Sequence, residues 1–262
     1  ISILGSNLDQ FFRTRVAGFH KQLASGSTKP TLDGMTPAQQ LEAIGIRARQ
    51  ILGEVYHFLW HQLVPDLERE GVELLSWERL DERDREYLED NYAMQLGAVL
   101  TPLAADPSHP FPHIRNLRPA LAVVVRAPDT GEEHFAAIEL PGDLPRFVPL
   151  PGGRRFIPIE EVIRAGLPEL YRGYQVVHAH VFRVTRSANI SIDEDTPDLL
   201  QAVQEKLLRR PLGPIVRLEV EDSMPTEMRE RLLRELQFSG GDAVATLSSS
   251  DVYPVDRLVD LF

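Results

Sequence analysis

The stretch Thr101-Pro102-Leu103-Ala104-Ala105-Asp106-Pro107-Ser108-His109-Pro110-Phe111-Pro112 separates two kinds of sequence. Each proline in it removes a backbone donor and pushes the preceding residue away from helical geometry, so no helix runs through it. Before it, apolar residues recur at spacings of three and four; beyond it, they alternate or run together between turn signals. The expected fold class is therefore α+β: an N-terminal antiparallel helical domain over 1–104, followed by a mixed α+β domain over 105–262 with a largely antiparallel sheet.

Upstream of the connector, Asp81 opens a third helix that is expected to reach about Leu100, with Tyr87, Leu88, Tyr92 and Leu96 facing inward. Before it, Leu41, Ile44, Ala48, Ile51, Leu52, Val55, Phe58, Leu59 and Leu63 form one apolar stripe. Thr36-Pro37-Ala38-Gln39 caps that second helix, Gly71 stops it, and Pro65 should kink or end it. Ser6 and Asp9 have the S-x-x-D capping pattern ahead of Phe11, Phe12, Val16 and Phe19, which places the start of the first helix at Asn7. Downstream, Asp129-Thr130-Gly131 and Pro151-Gly152-Gly153 each sit between β-prone runs and predict hairpins. Tyr174 to Arg186 and Ile215 to Val220 read as strands, and Thr196-Pro197 and Pro225 each open a helix.

Composition excludes several classes. The chain has 262 residues, 43% of them hydrophobic, a formal charge of −11, and no cysteine. That leaves no disulfide, no thiolate nucleophile and no sulfur-held zinc. The charge is spread evenly, about −5 before residue 105 and −6 after it, so a broad nucleic-acid face is not expected and any polyanion contact must be a local cluster. No apolar run is long enough to span a membrane and no secretory leader pattern is present, so a cytoplasmic protein is expected. The chain opens on Ile1 rather than Met and closes on an apolar Leu261-Phe262, which points to a piece of a longer protein.

Chemistry-bearing clusters are few. Glu54, His57 and His61 recur near one helical face and contain the Glu-x-x-His half of a carboxylate-bundle metal site, but no second such helix accompanies them. His178 and His180 share one face of a strand, while His109 and His113 fall in or beside the proline-rich connector. Gly152-Gly153-Arg154-Arg155 has the makings of a phosphate cradle without Walker spacing, and a turn with exposed arginines is the simpler reading. Asp193-Glu194-Asp195 precedes a helix cap, where acidic residues suit the dipole better than they suit a Mg²⁺ site. No G-x-S-x-G, H-E-x-x-H, G-x-G-x-x-G or Walker motif is present.

Several segments, in order along nearly the whole chain, resemble the N-terminal half of polyphosphate kinase, the ATP-dependent phosphohistidine family. These are Ser6-Asn7-Leu8-Asp9-Gln10-Phe11-Phe12 with Arg15-Val16-Ala17-Gly18, then Asp33-Gly34-Met35-Thr36-Pro37, and Phe111-Pro112 with Asn116-Leu117. Arg146-Phe147-Val148 with Leu150-Pro151, Phe182-Arg183-Val184-Thr185-Arg186, Val216-Arg217-Leu218-Glu219-Val220 and Asp251-Val252-Tyr253 complete the set. Gln10 stands where the family has Glu, and Ser187 and Asn189 replace more acidic residues.

The resemblance implies a head domain over 105–262 that contributes to a homo-oligomer, with a dimer expected, and a transfer of the ATP γ-phosphate to inorganic polyphosphate. It further implies ATP and Mg²⁺, both bound mainly by domains absent from this chain, a phosphohistidine with no counterpart here, and a possible peripheral place at the membrane. Taken alone, the chain is expected to be inactive. The one residue to which the resemblance gives a ligand is Asn7, against the adenine of ATP. The alternative from another class is a free-standing, non-catalytic homologue that acts as a dimerising interaction or regulatory module.

Overall fold

The computed structural model describes residues 1–93, 103–105, 111–188, 213–238 and 247–255. Most of the connector, His109, the third helix beyond Ala93, the Asp193-Glu194-Asp195 run and the Thr196-Pro197 helix lie outside the described residues.

The first helical run comprises α1 (Ser2–Phe11), a widened π turn (Phe12–Val16) and α2 (Ala17–Ala24). This corrects the expected start at Asn7: Ser6 and Asp9 lie inside α1 and cap nothing, because the Asp9 side chain turns inward to guanidinium groups on the sheet. The second run is α3 (Pro37–Phe58), a π turn (Leu59–Leu63) and α4 (Val64–Arg69). Thr36 and Gln39 form the expected capping box, with Thr36 N–H donating to Gln39 Oε1 at 2.9 Å. Pro65 does not end the run: it sits in the first turn of α4, behind a widened turn, where a missing N–H costs little. Gly71 does end it. Its φ is 76°, its N–H donates to Glu68 O at 3.0 Å and that of Val72 donates to Leu67 O at 2.8 Å, a Schellman closure. After the Asp81 cap, α5 (Glu82–Leu88) begins as expected.

Nine strands form two sheets among the described residues. β2 (Leu103–Ala105), β3 (Pro119–Arg126), β4 (Glu133–Glu139), β7 (Gln175–Arg186), β8 (Ile215–Glu221) and β9 (Val252–Val255) make a six-stranded sheet in the order β2-β4-β3-β7-β8-β9. All its pairs are antiparallel except β8 with β9. Both expected hairpins form: β3 with β4 around Gly131, and β5 (Phe147–Pro149) with β6 (Arg155–Pro158) around Gly152-Gly153.

The large sheet is buried on both faces, which is why β3 reads as an unbroken apolar run. Leu121, Val123 and Val125 point towards the N-terminal helices and α6 (Ile159–Leu170), in one core with Phe12, Val16, Ala48, Leu52 and Leu88. Ala120, Ala122 and Val124 point the other way, towards Met228, Leu232 and Leu236 of α7 (Thr226–Phe238). Phe58, part of the expected apolar stripe, stays 44% exposed and Phe11 38%, because the buried stripe follows Phe12 and Tyr56 instead.

Two features lay beyond the sequence reading. β1 (Glu73–Leu74) leaves the helical part and pairs in parallel with β6, so a strand from before the connector completes the small sheet β1-β6-β5. The helix α6 begins directly where β6 ends, and it carries Gly166 and Pro168, which disguise its periodicity.

Candidate functional site

Two residues of α1 set up the site. Asn7 and Asp9 are two positions apart, so they leave the helix on different sides. Asn7 is exposed, whereas Asp9 is buried against the far end of β7 and β8. There the strand faces turned towards α1 carry charge: Arg183 lies opposite Glu219, and Thr185 opposite Arg217.

Asp9 Oδ1 and Oδ2 accept from Arg183 Nη2 and Nη1 at 3.2 and 3.3 Å, and Arg217 Nη2 donates to Asp9 Oδ1. Arg183 Nε donates to Glu219 Oε2 at 2.8 Å, and Arg217 Nε donates to Thr185 Oγ1 at 3.0 Å. The Arg217 guanidinium also lies 4.6 Å over the Phe12 ring. Two cations thus meet two anions, and all four side chains are buried. Burial pushes the Glu219 carboxyl up, but Arg183 and Arg217 outweigh it and hold the group below the ordinary carboxylate range. Such a balanced junction supplies no free acid, base or nucleophile. It fixes α1 on the sheet.

The other family-like segments gather around this junction. Tyr253 packs edge-on against Phe12 at 5.4 Å, and its burial pushes the phenol up to about 12. Asn116 Oδ1 accepts from the Arg186 backbone N–H at 2.7 Å, and Leu117 N–H donates to Val184 O at 2.8 Å. Arg186 is fully buried and donates through Nε to Ile114 O at 3.0 Å and through Nη1 to Gly213 O at 2.9 Å.

Of the remaining sequence candidates, Glu54, His57 and His61 are all exposed. The two imidazoles stack at 4.2 Å, His61 Nδ1 lies 3.1 Å from His57 O, and Glu54 accepts from Gln50 at 2.9 Å. Among the described residues no three His, Asp or Glu side chains are placed to hold a metal. His178 and His180 lie 6.0 Å apart, ring to ring, and His180 Nδ1 is 3.3 Å from Glu221 Oε2. His113 is half-buried on the segment that follows the connector. The Gly152-Gly153 turn forms, but its arginines point back to the N-terminal part. Arg154 Nη1 donates to Glu70 O at 3.0 Å, and Arg155 grips Asp84 with two bonds of 2.9 and 2.6 Å. That leaves no cradle for phosphate.

Asn7 remains. It stands in mid-helix on the exposed side of α1, with Ile3 and Phe11 one turn to either side, and its carboxamide bonds to no other described residue. Asp9, Arg183, Arg217 and Glu219 do not stand out as a unit in the sequence. The available signal was charge at alternate positions in otherwise apolar strands, Arg-x-Thr and Arg-x-Glu, which marks an ionic face that something must cover.

The comparisons with known proteins agree along the chain. The family model described as polyphosphate kinase N-terminal domain matches residues 1–75, and that described as polyphosphate kinase middle domain matches residues 83–261. The chain is 41% identical over 270 residues to a polyphosphate kinase of Mycolicibacterium gilvum, covering 98% of this chain and 37% of that protein. It is 40% identical over 262 residues to a polyphosphate kinase of Streptomyces coelicolor, covering 100% of this chain and 34% of that one. The crystal structure of polyphosphate kinase from Porphyromonas gingivalis superposes with a TM-score of 0.74 at 22% identity, over 99% of this chain and 35% of that one, and so shares its fold. The chain thus spans about a third of the length of the curated relatives it matches. With both family models matched in order, this chain belongs to the polyphosphate kinase family, of which it carries the N-terminal and middle regions.

Proposed function

We propose that the chain is the N-terminal and head portion of an enzyme that transfers the ATP γ-phosphate to inorganic polyphosphate through a phosphohistidine. In that enzyme Asn7 contributes a wall to the adenine site. The observation that carries this reading is the opposed placement of Asn7 and Asp9: the buried junction anchors α1 through Asp9 and leaves the Asn7 carboxamide facing outward. A carboxamide has a donor and an acceptor side by side, which is the complement of the Watson–Crick edge of adenine. The phosphohistidine, Mg²⁺ and most ATP contacts then come from the rest of the enzyme, and this chain alone neither makes polyphosphate nor becomes phosphorylated. The head region contributes the homodimer contact.

The test is made in the complete enzyme. Asn7→Ala is expected to weaken ATP binding by up to roughly tenfold, as the loss of a neutral hydrogen bond does, with the maximal rate changed less than the apparent affinity. Asn7→Asp cannot donate and should also fail. Because Asn7 caps no helix, melting temperatures should be little changed. ATP affinity unaltered in both variants removes Asn7 from the site.

A further inference from the structure

The chain's acidity means that an anion can be held only where cations are concentrated and not already matched by carboxylates. Among the described residues, one cleft offers such a cation. It has a volume of about 430 Å³ and lies between residues 112–118 and the loop after β4, with Arg115, Arg118 and His113 on one side and Pro141, Gly142 and Asp143 on the other. A tight turn brings the two arginines to the same wall: Arg118 N–H reaches Arg115 O, and Leu117 takes a φ of 61°, a left-handed conformation that a leucine rarely adopts.

The cations of this wall differ in their partners. Arg115 is matched, its Nε lying 3.2 Å from Glu139 Oε2. Arg118 is half-buried, yet its guanidinium makes no ion pair or hydrogen bond among the described residues, and the exposed Asp143 is not within ion-pair distance of it. Behind the wall, Arg186 donates to Ile114 O while its Nη2 is buried without a hydrogen-bond partner. Burial lowers the Arg186 pKa to about 10, and Glu139, already engaged by Arg115, is the nearby charge that opposes this. Among the described residues the Arg118 guanidinium is therefore the cation of this wall that no carboxylate pairs. Arg118 also lies close against Gly142. A Cβ at Gly142 would lie 2.0 Å from Arg118 Nη1 and 2.6 Å from its Cζ, so the guanidinium rests directly on the glycine backbone.

We propose that this cleft binds a phosphoryl anion, with Arg118 taking its oxygens and Gly142 making the space that keeps Arg118 in position. A guanidinium presents paired donors that match two phosphate oxygens, and one fixed against a backbone loses little freedom on binding. On the reading of this chain as part of a polyphosphate kinase, on which this step rests, the anion is a phosphate unit of the polymer away from the nucleotide.

The test titrates the 262-residue chain with inorganic phosphate, pyrophosphate and a short-chain polyphosphate by calorimetry at low salt. The wild type is expected to bind, and Arg118→Ala to weaken binding by roughly tenfold or more, as the loss of charge-assisted bonds does. Gly142→Ala changes no charge, and the atom in its way is the far end of a flexible side chain, so it should fold normally, displace the guanidinium and weaken binding comparably. Arg172→Ala, which removes an exposed arginine on another surface, should leave binding unchanged. Tighter binding of the chain than of free phosphate assigns the site to the polymer, and equal binding assigns it to a single phosphoryl group. Absence of binding by the wild type, or binding by Arg118→Ala or Gly142→Ala as tight as that of the wild type, overturns the proposal, as does an equal loss in Arg172→Ala. These outcomes are read on the chain itself, whereas the adenine reading stands or falls on the Asn7 variants in the complete enzyme.

Discussion

The Asp9 carboxylate contacts the Arg217 guanidinium across 208 residues of chain, and both side chains are buried. The contact ties the first helix to the eighth strand, and Arg183 and Glu219 complete a neutral cluster of four charges around it. Burying four charges is expensive, so this junction is tolerable only while all its members are present.

Removing one member should therefore cost more than an ordinary surface ion pair. Asp9→Ala leaves Arg183 and Arg217 with only Glu219, and a loss of about 3–5 kcal/mol is expected from breaking a buried ionic group. Asp9→Asn retains the acceptor oxygen and should lose less. Urea unfolding of both variants, followed by tryptophan fluorescence, measures the difference. A loss near that of a surface pair, under about 1 kcal/mol, would show that α1 is held by packing alone.

Arg155 and Asp84 make the second long-range clamp, linking the small sheet to α5 across 71 residues. Asp84 is nearly inaccessible while Arg155 is 29% exposed, so part of the interaction is screened by solvent. Arg155→Lys loses the bidentate fork and is expected to cost about 1–2 kcal/mol, and Arg155→Ala about 2–3 kcal/mol. Proteolytic clipping between residues 75 and 83 should rise in the same order, since the clamp fixes the elements on either side.

Acid should weaken the fold through specific carboxylates. Burial raises the Glu221 pKa, but the His180 hydrogen bond and Arg164 outweigh it and hold it below the ordinary value; Glu219 is also held low, by Arg183 and Arg217. A depressed folded-state pKa gives stability that is present above the ordinary Glu range and lost as pH falls through the depressed value. Glu160 opposes this trend, since its burial outweighs Arg146 and leaves its pKa raised. Urea midpoints measured from about pH 7 down to about pH 3 should fall for the wild type. They should fall less for Glu221→Gln, which has no proton to take up; an identical slope would remove Glu221 from the acid response.

At Leu117 the left-handed backbone favours small or flexible residues. Leu117→Val places a β-branched side chain at that φ and should destabilise by about 1–2 kcal/mol. Leu117→Gly relieves the strain and offsets part of the lost side-chain contact, so it should melt above the Val variant. The reverse order would show that the turn is held by the side chain and not limited by its backbone.

Much of the architecture was legible because it depends on neighbours in sequence. The Thr36 capping box, the Gly71 stop, both glycine-centred hairpins and the α+β class follow from local backbone chemistry and from the period of the apolar residues. The resemblance built on Ser6-Asn7-Leu8-Asp9 and the later segments correctly gave the family, because those segments keep their order along nearly the whole chain. What local reasoning could not decide was what each charged residue faces. Ser6 and Asp9 fit a capping pattern, yet Asp9 sits inside α1, because two buried guanidinium groups attract its carboxylate far more strongly than helix-end amides would. Arg154 and Arg155 look free to meet a phosphate, but the parallel pairing of β1 with β6 brings Glu70 and Asp84 within their reach. Arg118 looks like any surface arginine until the fold sets it against Gly142 with no carboxylate partner among the described residues. Helix caps and turns are closed by bonds over a few residues, so the sequence states them. Ion pairs depend on which chain segments the tertiary fold brings together, and only that fold decides which charges are neutralised and which are left for a ligand.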